Sequence, residues 1–93
     1  MVATKISMKK STAAADELLQ IDRVYVVGNV YFQTGWYKTD FLHDYLKSNP
    51  GSIQVNLRPF PALAPVTGGR NEKYVMSSLD MQNRDSLLGL PRE

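Results

Sequence analysis

Twelve consecutive residues, Arg23 to Thr34, are so rich in valine, tyrosine and phenylalanine that a β-sheet is their natural place. Read as one strand, Val24, Val26, Gly28, Val30 and Phe32 share one face. Tyr25, Val27, Asn29, Tyr31 and Gln33 share the other, so an apolar face separates from a tyrosine-and-amide face. Read as a hairpin turning at Gly28-Asn29, the same residues leave both faces largely apolar. The faces favour the single strand, with Gly28 at a bulge or a close contact.

A helix and a second strand succeed it along the chain. Gly35 closes the run, and Thr39 or Asp40 can cap a helix in which Phe41, Leu42, Tyr45 and Leu46 form one apolar stripe. Asp40, His43, Asp44 and Lys47 fill the opposite side, and Asn49-Pro50-Gly51 ends the helix. Ser52 to Arg58 alternates, with Ile53, Val55 and Leu57 inward and Gln54, Asn56 and Arg58 outward. Strand, helical crossover and strand make a βαβ unit with parallel strands.

Arg58 to Asn71, carrying Pro59, Pro61, Pro65, Gly68 and Gly69, reads as a long surface loop, and Glu72 to Leu79 as a third strand. Short helices are expected near both termini, over Thr12 to Leu19 and from an Asp80 cap to Leu90, where Gly89 and Pro91 stop it. The predicted fold class is α+β: a small two-layer domain with a βαβ unit plus a further strand, β-α-β-β, and short terminal helices. In so small a sheet Ile53 to Leu57 or Glu72 to Leu79 is expected at an edge, open to another chain.

At 93 residues there is room for one domain, and with no cysteine it must hold together by burial without disulfides. A cysteine-free chain suits a reducing compartment, so an intracellular, cytoplasmic location is expected. No run approaches 18 apolar residues, the length a membrane-spanning helix needs. The formal charge of +2 divides unevenly. Residues 1 to 15 hold Lys5, Lys9 and Lys10 and no acid, while the other 78 hold eight basic and nine acidic residues and net to −1. Those first 15 residues show no sustained periodicity and read as a basic, solvated arm ahead of a domain at 16–93.

The inventory of reactive side chains is thin. His43 is the sole histidine and reads as a solvated residue on the helix face, since catalytic zinc sites usually draw on several nitrogen or sulfur ligands. Asp40 and Asp44 stand one turn apart as exposed like charges rather than an acid–base pair. Gly68-Gly69-Arg70 leads into a strand, unlike a phosphate-binding loop, which opens a helix. No enzyme activity, cofactor or metal is expected.

Recognition is better supported, because five aromatics crowd the thirteen residues from Tyr25 to Tyr37. Tyr25, Asn29, Tyr31, Gln33, Trp36 and Tyr37 form the candidate binding face, unless a terminal helix packs over it. Arg58, Arg70, Lys73, Tyr74, Lys5, Lys9 and Lys10 are the candidate flanking contacts. The expected role is a non-enzymatic protein-interaction or assembly module, itself forming a homo-oligomer. The alternative is a single-stranded nucleic-acid binder, which a body at −1 disfavours because phosphate affinity comes from clustered cations. A small hydrolase or transferase ranks third.

Overall fold

The computed structural model describes residues 1–9, 18–77 and 85–93. Its strands are β1 (Val2–Met8), β2 (Ile21–Val27), β3 (Gly35–Lys38), β4 (Gln54–Val55), β5 (Ala64–Thr67) and β6 (Lys73–Met76). Among the described residues the one α-helix, α1, spans Thr39–Ser48, and single 3-10 turns occupy Leu18–Gln20 and Ser86–Gly89. The chain is a small α+β domain. The three expected strands correspond to β2, β4 and β6, and the structure adds the unexpected β1, β3 and β5.

The segment expected to be a solvated arm supplies an interior strand. The four-stranded sheet has the order β3-β2-β1-β4, with β1 antiparallel to β2 and parallel to β4. Ala3 and Ile6 are fully buried, although a separation of three residues normally puts side chains on opposite faces. Register shifts at Ala3/Lys5 and Ser7/Met8 reset the alternation, bringing Ala3 and Ile6 opposite Val26 and Val24. Those bulges are the reason the strand shows no regular period in sequence.

The run from Arg23 to Thr34 is likewise not one strand: it is the end of β2 followed by a loop over residues 28–34. Strand β2 ends at Val27, and the chain returns as β3, pairing Val24 with Tyr37 and Tyr25 with Trp36. Gly28 permits the reversal: a Cβ there would lie 1.7 Å from the Phe32 carbonyl oxygen. Asn29 Oδ1 accepts from the N–H groups of Tyr31 (2.9 Å) and Phe32 (3.1 Å), and the Asn29 N–H donates to the Phe32 carbonyl (2.9 Å). The Gly28 N–H donates to Thr34 Oγ1 (2.8 Å). Phe32 folds back into the core, its ring 4.7 Å from that of Tyr37 and 4.8 Å from that of Tyr45.

Helix α1 starts close to its expected position but with Lys38 as the N-cap and no side-chain cap bond, in place of Thr39 or Asp40. Asp40 in the first turn and Lys47 in the last suit the helix dipole. Its buried residues are Leu42, His43 and Leu46; Phe41, expected in the stripe, is 51% exposed. The strand expected over Arg23–Thr34, β2, is antiparallel to β4, so the predicted βαβ unit does not form between them; α1 instead joins β3 to β4, which are parallel, crossing β2 and β1.

The expected loop from Arg58 to Asn71 contains β5, which pairs antiparallel with β6 from Ala64↔Met76 to Thr67↔Lys73. The third expected strand is β6; its predicted extension over 78 and 79 lies outside the described residues, as do most of the Thr12–Leu19 helix and the Asp80 cap. The observed C-terminal turn is capped by Asp85, whose Oδ1 accepts from Leu87 N–H (2.9 Å) and the Ser77 hydroxyl (2.6 Å). Leu87, Leu88 and Leu90 join the core, and residues 91–93 then run beside β1: Ile6 N–H donates to Pro91 O (2.9 Å) and Glu93 N–H to Ile6 O (3.0 Å).

Candidate functional site

Burying Ala3, Ile6, Val24 and Val26 obliges the alternate residues of β1, β2 and β3 to face away from the core. Three cross-strand rows result: Lys5–Tyr25–Trp36, Ser7–Arg23–Lys38 and Val2–Val27. Tyr25 and Trp36 meet edge to face, with centroids 5.3 Å apart and planes at 74°. Lys5 Nζ stands 4.9 Å from the centre of the Tyr25 ring and 2.8 Å from Glu93 Oε2. The Glu93 carboxylate, through that hydrogen bond and its charge, holds the Lys5 ammonium above its ordinary pKa. Arg23 Nε lies 3.6 Å from Asp22 Oδ2. An open groove of about 460 Å³ runs along Ser7, Asp22, Arg23, Trp36 and Glu93.

Beyond the end of β2 the loop carries Val30 and Tyr31 outward, 92% and 96% exposed. Their exposure is built in, because the Asn29 and Gly28 hydrogen bonds brace the turn beneath them.

The predicted binding residues do not form one face. Tyr25, Trp36 and Lys5 come together on the open side of the sheet. Tyr37 points to the other side, where its ring stacks on Phe41 at 5.4 Å and its hydroxyl donates to the Gln33 carbonyl. Asn29, Tyr31 and Gln33 belong to the loop, so the single tyrosine-and-amide face predicted from a continuous strand does not exist. The chain turns back at Gly28 before those residues can share a pleat with Tyr25. Arg58 and Arg70 are exposed on separate turns, and half-buried Tyr74 lies on β6. Lys9 and Lys73 line a second groove of about 490 Å³ with Lys38, opposed there by Asp22, Asp40 and Glu72. Lys10 lies outside the described residues. Sequence patterning places Lys5 in a flexible arm and misses it as the partner of Tyr25, because bulges conceal the strand that carries it.

His43 corrects another expectation. Far from being solvated, it is 3% exposed and sits between α1 and the two-stranded sheet, since β5 covers that side of the helix. Nδ1 lies 3.0 Å from Asp44 Oδ1 and Nε2 3.1 Å from Thr67 Oγ1. An ionised carboxylate only accepts, so Nδ1 carries a proton directed at Asp44, and Nε2 lies within hydrogen-bond distance of the threonine hydroxyl. Asp44 also pairs with Lys73 at 3.2 Å, and hydrogen bonds from His43 and then Lys73 hold its carboxyl below the ordinary carboxylate range. This cluster ties α1 to β5 and β6.

Among the described residues no group of three or more His, Cys, Asp or Glu side chains could hold a metal ion, and no helix is long and apolar enough to cross a membrane. Comparison with protein-family models, with curated proteins and with solved structures gives no match.

Proposed function

We propose that this chain is a non-enzymatic interaction module that docks onto a protein partner or larger assembly through the open face of its four-stranded sheet and the β2–β3 loop. The observation that carries the reading is the Tyr25–Trp36 pair, left on the solvent side with Val27 43% and Trp36 37% exposed. The braced Val30–Tyr31 tip adds a second apolar contact. Exposed apolar surface of this kind marks interaction sites, and Trp, Tyr and Arg lead among interface residues. Charge favours protein over nucleic acid. Of the cations on this face, Lys5 is engaged by Glu93 and Arg23 approaches Asp22, so few remain to neutralise phosphates. A cysteine-free sequence supports a reducing, cytoplasmic setting.

A photo-crosslinking residue in place of Val27 is expected to trap a protein in the native host. The yield should fall about tenfold in Trp36→Ala and stay unchanged in Arg70→Ala, on the β5–β6 turn. Tight binding of an oligothymidine of roughly 20 nucleotides, lost in Trp36→Ala and falling with salt at about −0.7 per neutralised phosphate, would overturn the reading.

A further inference from the structure

We infer that the free edge of β3 is a strand-addition site for an extended segment of the protein partner, with a carboxylate beside Lys38 and apolar side chains beside Trp36 and Tyr37. The inference rests on the proposed interaction role and names the element and the partner's chemistry.

The sheet's other edge is closed. Along β4, Val55 N–H donates to Pro61 O (2.8 Å) and Leu63 N–H to Ile53 O (2.8 Å), while residues 91–93 cover β1 where β4 stops. Among the described residues, no backbone hydrogen bond joins Gly35–Lys38 to any segment other than β2 and α1. An added strand would project side chains alternately to both faces, and this edge offers an aromatic on each. Trp36 lies on the outer face, and Tyr37 on the inner face is extended by the stacked ring of Phe41, half exposed in the first turn of α1. The exposure of Phe41, at a position patterned for burial, is accounted for by such an occupant.

Charge selects the partner. Arg23 and Lys38 stand directly opposite each other across β2 and β3, a like-charge pair that disfavours the sheet. Among the described residues no acid lies within ion-pair distance of Lys38, although Asp22, Asp40 and Glu72 line the same groove, and a carboxylate on the incoming strand beside Lys38 relieves its repulsion with Arg23. The same lysine guards the edge against indiscriminate pairing. A second copy fits less well. A two-fold axis keeping the outer faces together sets Lys38 opposite Phe32, Thr34, Trp36 or Lys38 in the registers where the strands overlap, never opposite an acid.

The test is selection of displayed linear peptides of about ten residues against the full chain, followed by titration of the enriched synthetic peptides into labelled protein. Enriched sequences are expected to carry an acid two residues from an apolar residue, and binding should slow amide exchange within Gly35–Lys38. Trp36→Ala should weaken binding roughly 30-fold. Lys38→Glu should weaken it roughly fivefold and reverse the preference to a peptide carrying lysine in place of the acid. That charge swap stands by itself should Trp36→Ala fail to fold. Enriched peptides indifferent to both variants but lost in Tyr31→Ala would overturn the edge site and leave the interaction role standing. An empty selection combined with tight oligothymidine binding would overturn both. Dimerisation abolished by Trp36→Ala, without peptide binding, would give the edge to a second copy and overturn the inference.

Discussion

Ile6→Ala distinguishes a structural N-terminal strand from a solvated arm by a wide margin. The Ile6 side chain is fully buried opposite Val24, in the layer with Ala3 and Val26. Shortening isoleucine to alanine removes three carbons, about 2.4 kcal/mol of transfer free energy at roughly 0.8 kcal/mol each. A site enclosed between a sheet and its core collapses incompletely, and the residual cavity brings the expected loss to about 3–4 kcal/mol, within the range of about 2–5 for such truncations. The backbone bonds of Ile6 to Pro91 and Glu93 are untouched by the change, so the measurement reads packing. Against a total stability of about 5–14 kcal/mol for a chain of this length, the loss is large. Urea titration should show a lower midpoint at an unchanged slope, and thermal melting a fall of about 12–30 °C. Ser7→Ala, on the solvent side of the same strand, should stay within about 0.5 kcal/mol. An Ile6→Ala cost below about 0.5 kcal/mol would remove β1 from the core and refute this fold.

Two further expectations concern the turn at Gly28 and the Asp44 cluster. Gly28→Ala should cost about 1–3 kcal/mol, because its Cβ collides with backbone rather than with a movable side chain, whereas Gly69→Ala, with nothing within 4 Å, should be close to neutral; paired melts decide this. Asp44 has a lowered pKa in the folded chain, so its contribution is complete above the ordinary value of 3.8 and is lost as pH falls through the lower folded value. The stability difference between wild type and Asp44→Asn, followed by urea midpoint, should therefore shrink on acidification below about pH 4, and a difference constant through that range would contradict the pairing with His43 and Lys73.

Helix α1 was legible in sequence because its determinants are local: a stripe recurring at helical spacing and a stop at Asn49-Pro50-Gly51, all within a dozen residues. The α+β class follows from the same short-range patterning, and so do Val24, Val26, Phe32, Ile53 and Val55 of the expected inward set, whereas Val30 and Leu57, expected with them, are exposed. Pairing was not legible, because it depends on residues far apart in the chain. Bulges in β1 break the period of two that identifies a strand, so Ala3 and Ile6 are recognisable as neighbours only once β2 lies beside them. The turn at Gly28 depends on Phe32 finding a place among Tyr37 and Tyr45, a contact that no local pattern announces. His43 has the same local sequence whether solvated or buried, and it is buried because β5 arrives from 24 residues away and sets the Thr67 hydroxyl 3.1 Å from Nε2. Residue type and spacing determined which segments could be strands and helix. Which face of each met water was decided by tertiary pairing, since burial is a property of the neighbours a segment acquires.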